Sequence, residues 1–186
     1  NIVSYGKVMA VEVVKKIGYK DDPGVDILSV LLDHDIQPEF PEEVMAEVHN
    51  IPQTVQEEEK KNRRDLTNVI TVTIDGHSSK DFDDAVSVCR TDKGYNLKVS
   101  IADVSHYVKE GSALDAEALK RSFSTYVTDR VVPMLPHELS NGICSLNPHV
   151  ERLALTCDMN VDLDGNIVDY EVYPSVIRST ERMSYN

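Results

Sequence analysis

From Val69 onward the chain alternates apolar and polar residues one by one. Only an extended backbone turns successive side chains to opposite faces, so this period of two constrains the fold more than any other feature. Ile70, Val72 and Ile74 alternate with Thr71 and Thr73. Ala85–Cys89 is a second strand, and Leu97, Val99 and Ile101 alternate with Lys98 and Ser100 in a third. Leu153, Leu155, Cys157 and Met159 form a fourth, and Ile167–Tyr173 a fifth. The β-formers Val, Ile and Thr dominate these runs. Turn chemistry at Thr91-Asp92-Lys93-Gly94 and at Asp164-Gly165 links neighbours as hairpins. Ser112 and Asp115 stand at capping spacing and open a helix across Leu114–Arg121. Val131-Val132-Pro133-Met134-Leu135-Pro136 excludes a regular helix, because two prolines interrupt it. The expected fold is α+β: a mixed, mostly antiparallel sheet with helices.

The N-terminal third has a different grain. Val8, Ala10, Val11, Val13, Val14 and Ile17 suit strands or the tail of a β-rich unit ending near Gly18. After the turn Asp21-Asp22-Pro23-Gly24, Ile27, Leu28, Leu31 and Leu32 recur at helical spacing. Pro41-Glu42-Glu43 opens a second helix with Val44, Val48 and Ile51 as its apolar side. Residues 56–65 are a charge run, read as a solvated helix or linker, with contact of Arg63 and Arg64 to a polyanion as the alternative. A boundary falls here.

At 186 residues the chain can hold one medium domain or a small unit plus part of another. No run of about eighteen apolar residues is available for a membrane span. Asn1-Ile2-Val3-Ser4-Tyr5 carries no signal-peptide pattern and no initiator Met, and Glu181–Asn186 carries no closing turn, so both ends read as cuts within a longer protein. Cys89, Cys144 and Cys157 lack CxxC spacing and read as free thiols of a reducing, cytoplasmic compartment rather than a zinc site. The net charge of −13 argues against non-specific nucleic-acid binding, which Lys and Arg drive by neutralising phosphates. Carboxylates that hold metal ions soften the objection, since bound ions offset their formal charge.

One segment carries chemistry: Ile74-Asp75-Gly76-His77-Ser78-Ser79-Lys80-Asp81-Phe82-Asp83-Asp84-Ala85-Val86. Asp75 ends a strand, a short loop follows, and Asp81, Asp83 and Asp84 precede the next strand. Strand, loop, strand brings both ends of the loop together and crowds the carboxylates. Like charges raise one another's pKa, and a hard divalent cation relieves them. Magnesium takes oxygen ligands, with one or two direct carboxylates per ion plus water. Two such ions roughly 3.5–4 Å apart clamp a phosphoryl centre. The alternatives are a plain acidic surface loop and a calcium loop, the second lacking the alternate acids and central glycine of an EF-hand. There is no P-loop, HExxH or nucleophile elbow.

This segment resembles the signature of the ribonuclease II / ribonuclease R catalytic domain. So do Ile101-Ala102-Asp103-Val104-Ser105-His106-Tyr107-Val108, Ser124-Thr125-Tyr126, Val132–Pro136 and Leu139–Pro148, in order and at the family's spacing over about residues 63–186. The resemblance implies a truncated RNB-type catalytic domain over 63–186, preceded by the end of a cold-shock, OB-like barrel over 1–20 and a connecting helical segment over 21–62. It implies a processive 3′→5′ exoribonuclease that hydrolyses single-stranded RNA to nucleoside 5′-monophosphates with Mg2+. It further implies a cytoplasmic, monomeric whole protein with no nucleotide cofactor and no membrane association. Asp75, Asp81, Asp83 and Asp84 fall on the family's catalytic aspartates. Asp75, Asp81 and Asp84 would be magnesium ligands, directly or through water, and Asp83 would complete the cluster and orient the attacking water. Tyr126 falls on a base-stacking tyrosine of the family; from its own context alone it reads first as a half-buried strand residue. Asp103, His106 and Lys80 are weaker candidates, and Asn141 and Ser145 are expected to hold the Pro-rich loop. The family's domain extends past residue 186 with an arginine, a glutamate and a second aromatic, so the 186-residue chain alone is expected to be weak or inactive. The competing reading is a non-catalytic RNA-binding module.

Overall fold

The computed structural model describes residues 2–4, 10–13 and 15–185. Val8 and Val14, which contributed to the N-terminal strand reading, lie outside the described residues. The chain divides into two compact units, one of residues 1–39 with 123–133 and one of residues 40–122 with 134–186.

The first unit holds a short antiparallel pair, β1 (Ile2–Ser4) with β2 (Ala10–Val11), and helix α1 (Val25–Asp33). Leu31 of α1 is buried, as the helical spacing anticipates. Gly24, at φ 78, precedes the helix in a left-handed conformation, and its carbonyl accepts a bond from Arg130 Nη2 at 3.3 Å. Arg130 lies in the segment of the Pro-rich stretch, where β7 (Thr125–Tyr126) pairs with β8 (Val131–Val132). The prolines exclude a helix there, as expected.

The second unit is built on one seven-stranded sheet. Its strands are β3 (Arg64–Leu66), β4 (Val72–Asp75), β5 (Asp84–Thr91), β6 (Gly94–Ala102), β9 (Glu151–Asp162), β10 (Ile167–Arg178) and β11 (Glu181–Ser184), ordered β11-β4-β5-β6-β9-β10-β3. β4–β5, β5–β6, β6–β9 and β9–β10 pair antiparallel; β3–β10 and β4–β11 pair parallel. The mixed, mostly antiparallel α+β fold is therefore as the alternation implies. Helices α2 (Glu42–His49), the short α3 (Val104–Tyr107) and α4 (Ala113–Arg121) pack with a short π-wound helix, Glu138–Ile143, around Val44, Val48, Leu114, Leu139 and Ile143. Ser112 caps α4 by accepting from Asp115 N at 3.1 Å, at the spacing the sequence shows. Glu47 of α2 adds a second cap: its carboxylate accepts the N–H groups of Ala113 and Leu114, both at 2.9 Å.

The sheet is curled. β10 and β11 are five strand spacings apart in the order, about 24 Å across a flat sheet. Yet only Ser179 and Thr180 link them, a reach of roughly 10 Å. Bonds across the seam bear this out: Thr180 N donates to Thr71 O at 2.7 Å and Arg178 Nη2 to Thr67 O at 3.4 Å. Curling crowds the concave face, and the residues there are small. Ala85, Ala102 and Ala154 line it, with Ser100, Thr156 and Ser175 joined hydroxyl to hydroxyl at 2.8 and 2.6 Å. The large apolar residues of the alternation, Val88, Leu97, Ile101, Leu155 and Val172 among them, stand on the convex face; Val88 is 65% exposed. The period of two thus marks the strands correctly, but the core lies under the threonines, serines and alanines between the larger residues.

Candidate active site

The site grows from the gap between β4 and β5. These strands pair at Val72 and Val86, then separate around the loop Gly76–Asp83. Asp75 closes β4 and Asp84 opens β5. Phe82 is buried in the core beneath the sheet, which sends its neighbours Asp81 and Asp83 to the surface. Asp83 is tied to the sheet through its carbonyl, which accepts Ala102 N at 2.9 Å.

The four aspartates come within electrostatic reach of one another. Asp75 is held above the ordinary carboxylate range by burial first, then by the charges of Asp84 and Asp81, with Arg182 opposing. Asp83 is raised by burial and then by Asp81, Asp84 and Asp75, although its side chain keeps an open face to solvent. Among the described residues, no three His, Cys, Asp or Glu side chains are close enough as they stand to enclose an ion. Four mutually repelling carboxylates nevertheless offer the oxygen donors that a hard cation takes. Magnesium needs only one or two direct carboxylates and keeps water on its other positions.

The loop is fastened from two sides. Arg182 of β11 donates to the carbonyls of Gly76 and His77 and lies over the Phe82 ring, 5.0 Å from its centroid. Ser145, just after the π-wound helix, bonds the backbone on both sides of Asp81. Ser145 does not hold the Pro-rich loop as the sequence reading has it. Asn141 does bond locally, to His137, Ser140 and Asn147.

The charge run of 56–65 is not a helix, though most of its residues are exposed. It is a series of turns leading into β3, pinned by ion pairs. Arg63 Nη2 donates to Asp103 at 2.6 Å and to His106 Nδ1 at 3.3 Å, while His106 Nε2 meets Glu59 at 2.8 Å. A guanidinium only donates, so His106 Nδ1 accepts and its proton sits on Nε2, facing Glu59. Lys60 bridges Glu57 at 2.7 Å and Glu151 at 2.6 Å. Arg63 is therefore spent on a structural pair, and Arg64 pairs Glu171 while lying over the Tyr173 ring. Asp103 and His106 belong to this network, and the Lys80 side chain is exposed. Tyr126 lies in the first unit on β7, 69% exposed, not half-buried.

Residues 63–186 match the model of the RNB domain, and residues 1–41 that of the cold shock domain. The chain belongs to the RNB family. Ribonuclease R of Thermotoga maritima is 54% identical over 98% of this RNB chain, which spans 26% of that protein. The RNB fold is shared with Mycoplasma genitalium RNase R solved in complex with double-stranded RNA, at a TM-score of 0.92 and 37% identity, over 99% of this chain and 33% of that one. The same enzyme in complex with ribose-methylated single-stranded RNA matches at a TM-score of 0.85 and 39% identity, over 91% of this chain and 26% of that one. This chain thus spans about a quarter to a third of the relatives it resembles. Among the described residues no helix is long and apolar enough to cross a membrane.

Proposed function

We propose that these residues form the metal-holding part of a cytoplasmic, monomeric 3′→5′ exoribonuclease that hydrolyses single-stranded RNA processively to nucleoside 5′-monophosphates. The observation that carries this reading is the convergence of Asp75, Asp81, Asp83 and Asp84 on one strand–loop–strand, where Asp75 and Asp83 each feel the charges of Asp81 and Asp84. Asp75, Asp81 and Asp84 would hold Mg2+, directly or through water. When bound, the ion offsets charge on the phosphoryl oxygens and lowers the pKa of a bound water. Asp83 accepts a hydrogen bond from the attacking water and sets its direction. Tyr126, open to solvent on its hairpin, offers an aromatic face on which a base stacks without its sequence being read. Residues 1–20 are assigned to the end of a cold-shock-like barrel, 21–62 to a connecting segment and 63–186 to the front of the catalytic domain. The RNA complexes of the M. genitalium enzyme support the substrate class.

Arg182, which reaches the aspartate loop, is engaged with the carbonyls of Gly76 and His77, and Arg63 with Asp103. Phosphoryl transfer needs charge stabilisation as well as positioning, so the 186-residue chain alone is weak or inactive. A second reading, RNA binding without cleavage, draws on the absence of a preassembled three-ligand group among the described residues. A gel of 5′-labelled single-stranded RNA with Mg2+ separates the two. The full-length protein should shorten RNA from the 3′ end and Asp83→Asn should stop it, while an intact RNA in both lanes would transfer the assignment to the binding module.

A further inference from the structure

We infer that Ser145 is a positioning residue for Asp81, fixing the backbone on which that carboxylate is presented. Ser145 is fully buried. Its hydroxyl donates to Lys80 O at 2.9 Å and accepts from Phe82 N at 3.0 Å. Lys80 O belongs to the peptide unit before Asp81 and Phe82 N–H to the peptide unit after it. One hydroxyl therefore holds both planes that meet at the Asp81 Cα, and with them its φ and ψ. The next residue continues the fastening, since Leu146 N donates to Phe82 O at 2.9 Å.

Ser145 is itself held rigidly. Its N–H donates to Gly142 O at 3.1 Å, and its carbonyl accepts from the buried Arg152 Nε at 2.8 Å. The loop cannot supply these partners from within: Ser79 N to Gly76 O is its one internal backbone bond among the described residues. A loop that carries mutually repelling carboxylates tends to open, and Ser145 opposes that at Asp81, ahead of the β5 ladder. A serine that merely filled the core would need no bond to either side of an exposed aspartate.

This inference rests on the metal reading of the aspartates, and its test separates the two. Mn2+ binding to the 186-residue chain is titrated by electron paramagnetic resonance, and hydrogen exchange of single amides is followed by NMR, for wild type, Ser145→Ala and Ser145→Cys. In Ser145→Ala, Mn2+ affinity should fall roughly 10–100-fold, as when an outer partner of a metal ligand is lost. The Phe82 amide should lose protection, while amides of the β6–β9 ladder keep theirs. Ser145→Cys, nearly equal in volume with a weak donor and acceptor, should fall between and serves alone if the alanine variant does not fold. Unchanged Mn2+ affinity, or an unchanged Phe82 exchange rate, overturns the inference. If the wild type binds no Mn2+ but Phe82 still loses protection in the variant, the metal reading falls and the clamp on Asp81 stands.

Discussion

The ion pair between Arg63 and Asp103 offers a direct test of how the second unit is held together. Their side chains are 10% and 17% exposed, and the pair is 2.6 Å long. Arg63→Met keeps the aliphatic stem and removes the charge. The lost charge-assisted bond is worth about 1.5–3 kcal/mol, and breaking a fully buried pair costs roughly 3–5 kcal/mol. Asp103 retains its bond from Ser105 at 2.9 Å and some water, so the loss belongs toward the lower end. About 2–3 kcal/mol is expected, a urea midpoint lowered by about 1 M or more for a slope of about 1–3 kcal/mol per M. Urea titrations followed by circular dichroism on wild type, Arg63→Met, Asp103→Asn and the double variant measure both the loss and the coupling. Burial alone would raise the Asp103 pKa, but the bonds from Arg63 and Ser105 and the Arg63 charge outweigh it and hold the group below its ordinary value. The folded pKa is the lower one. The stabilisation is then complete above the unfolded value near ~4 and lost as pH falls through the folded value. The gap between wild type and Arg63→Met should accordingly narrow below about pH 4. A loss within about 0.5 kcal/mol at pH 7, the range of ordinary surface changes, would refute the account of the charge run as a structural strap.

Other consequences are open to measurement. Glu47→Gln should lower stability by on the order of 1 kcal/mol at neutral pH, as loss of a helix cap does. The Ala113 and Leu114 N–H groups depress the Glu47 pKa, so its contribution is present above the usual carboxylate range and disappears as pH falls through the folded value; the acid limb of the variant's unfolding curve should be flatter. Tyr126→Ala in the full-length protein should weaken single-stranded RNA binding by about 1–3 kcal/mol in a fluorescence titration and leave Mn2+ binding unchanged. Val88→Glu, on the convex face, should leave the unfolding midpoint within about 0.5 kcal/mol of wild type and reduce binding of an apolar dye; a large loss of stability would mean the sheet's faces are assigned the wrong way round.

Local pattern made much of this legible. β4, β5, β6, β9 and β10 with their hairpins, α1, α2 and the Ser112 cap follow from period, turn residues and capping spacing, because these signals are local in sequence. The aspartates were found for the same reason: Asp75 to Asp84 is one loop. What was missed depends on distant partners. Nothing around Ser145 announces that its hydroxyl reaches Lys80 and Phe82, 65 and 63 residues away. Arg182 sits on a strand too short for a period of its own, and its partners lie on a loop 106 and 105 residues upstream. The charge run misled because composition cannot distinguish a solvated lysine or arginine from one paired with an acid far along the chain. The choice of buried face was likewise invisible, since curvature belongs to the whole sheet.

The seam between β10 and β11 also sets an order of events. Thr71 and Thr180 meet across 109 residues, and β11 pairs with β4 at the same remove. Contacts this remote form late, because chain closure must come before they can contribute. Arg182 rides on that last strand. The aspartate loop therefore gains its second fastening late, from 106 residues away, and a chain that has not yet closed its sheet holds that loop from one side alone.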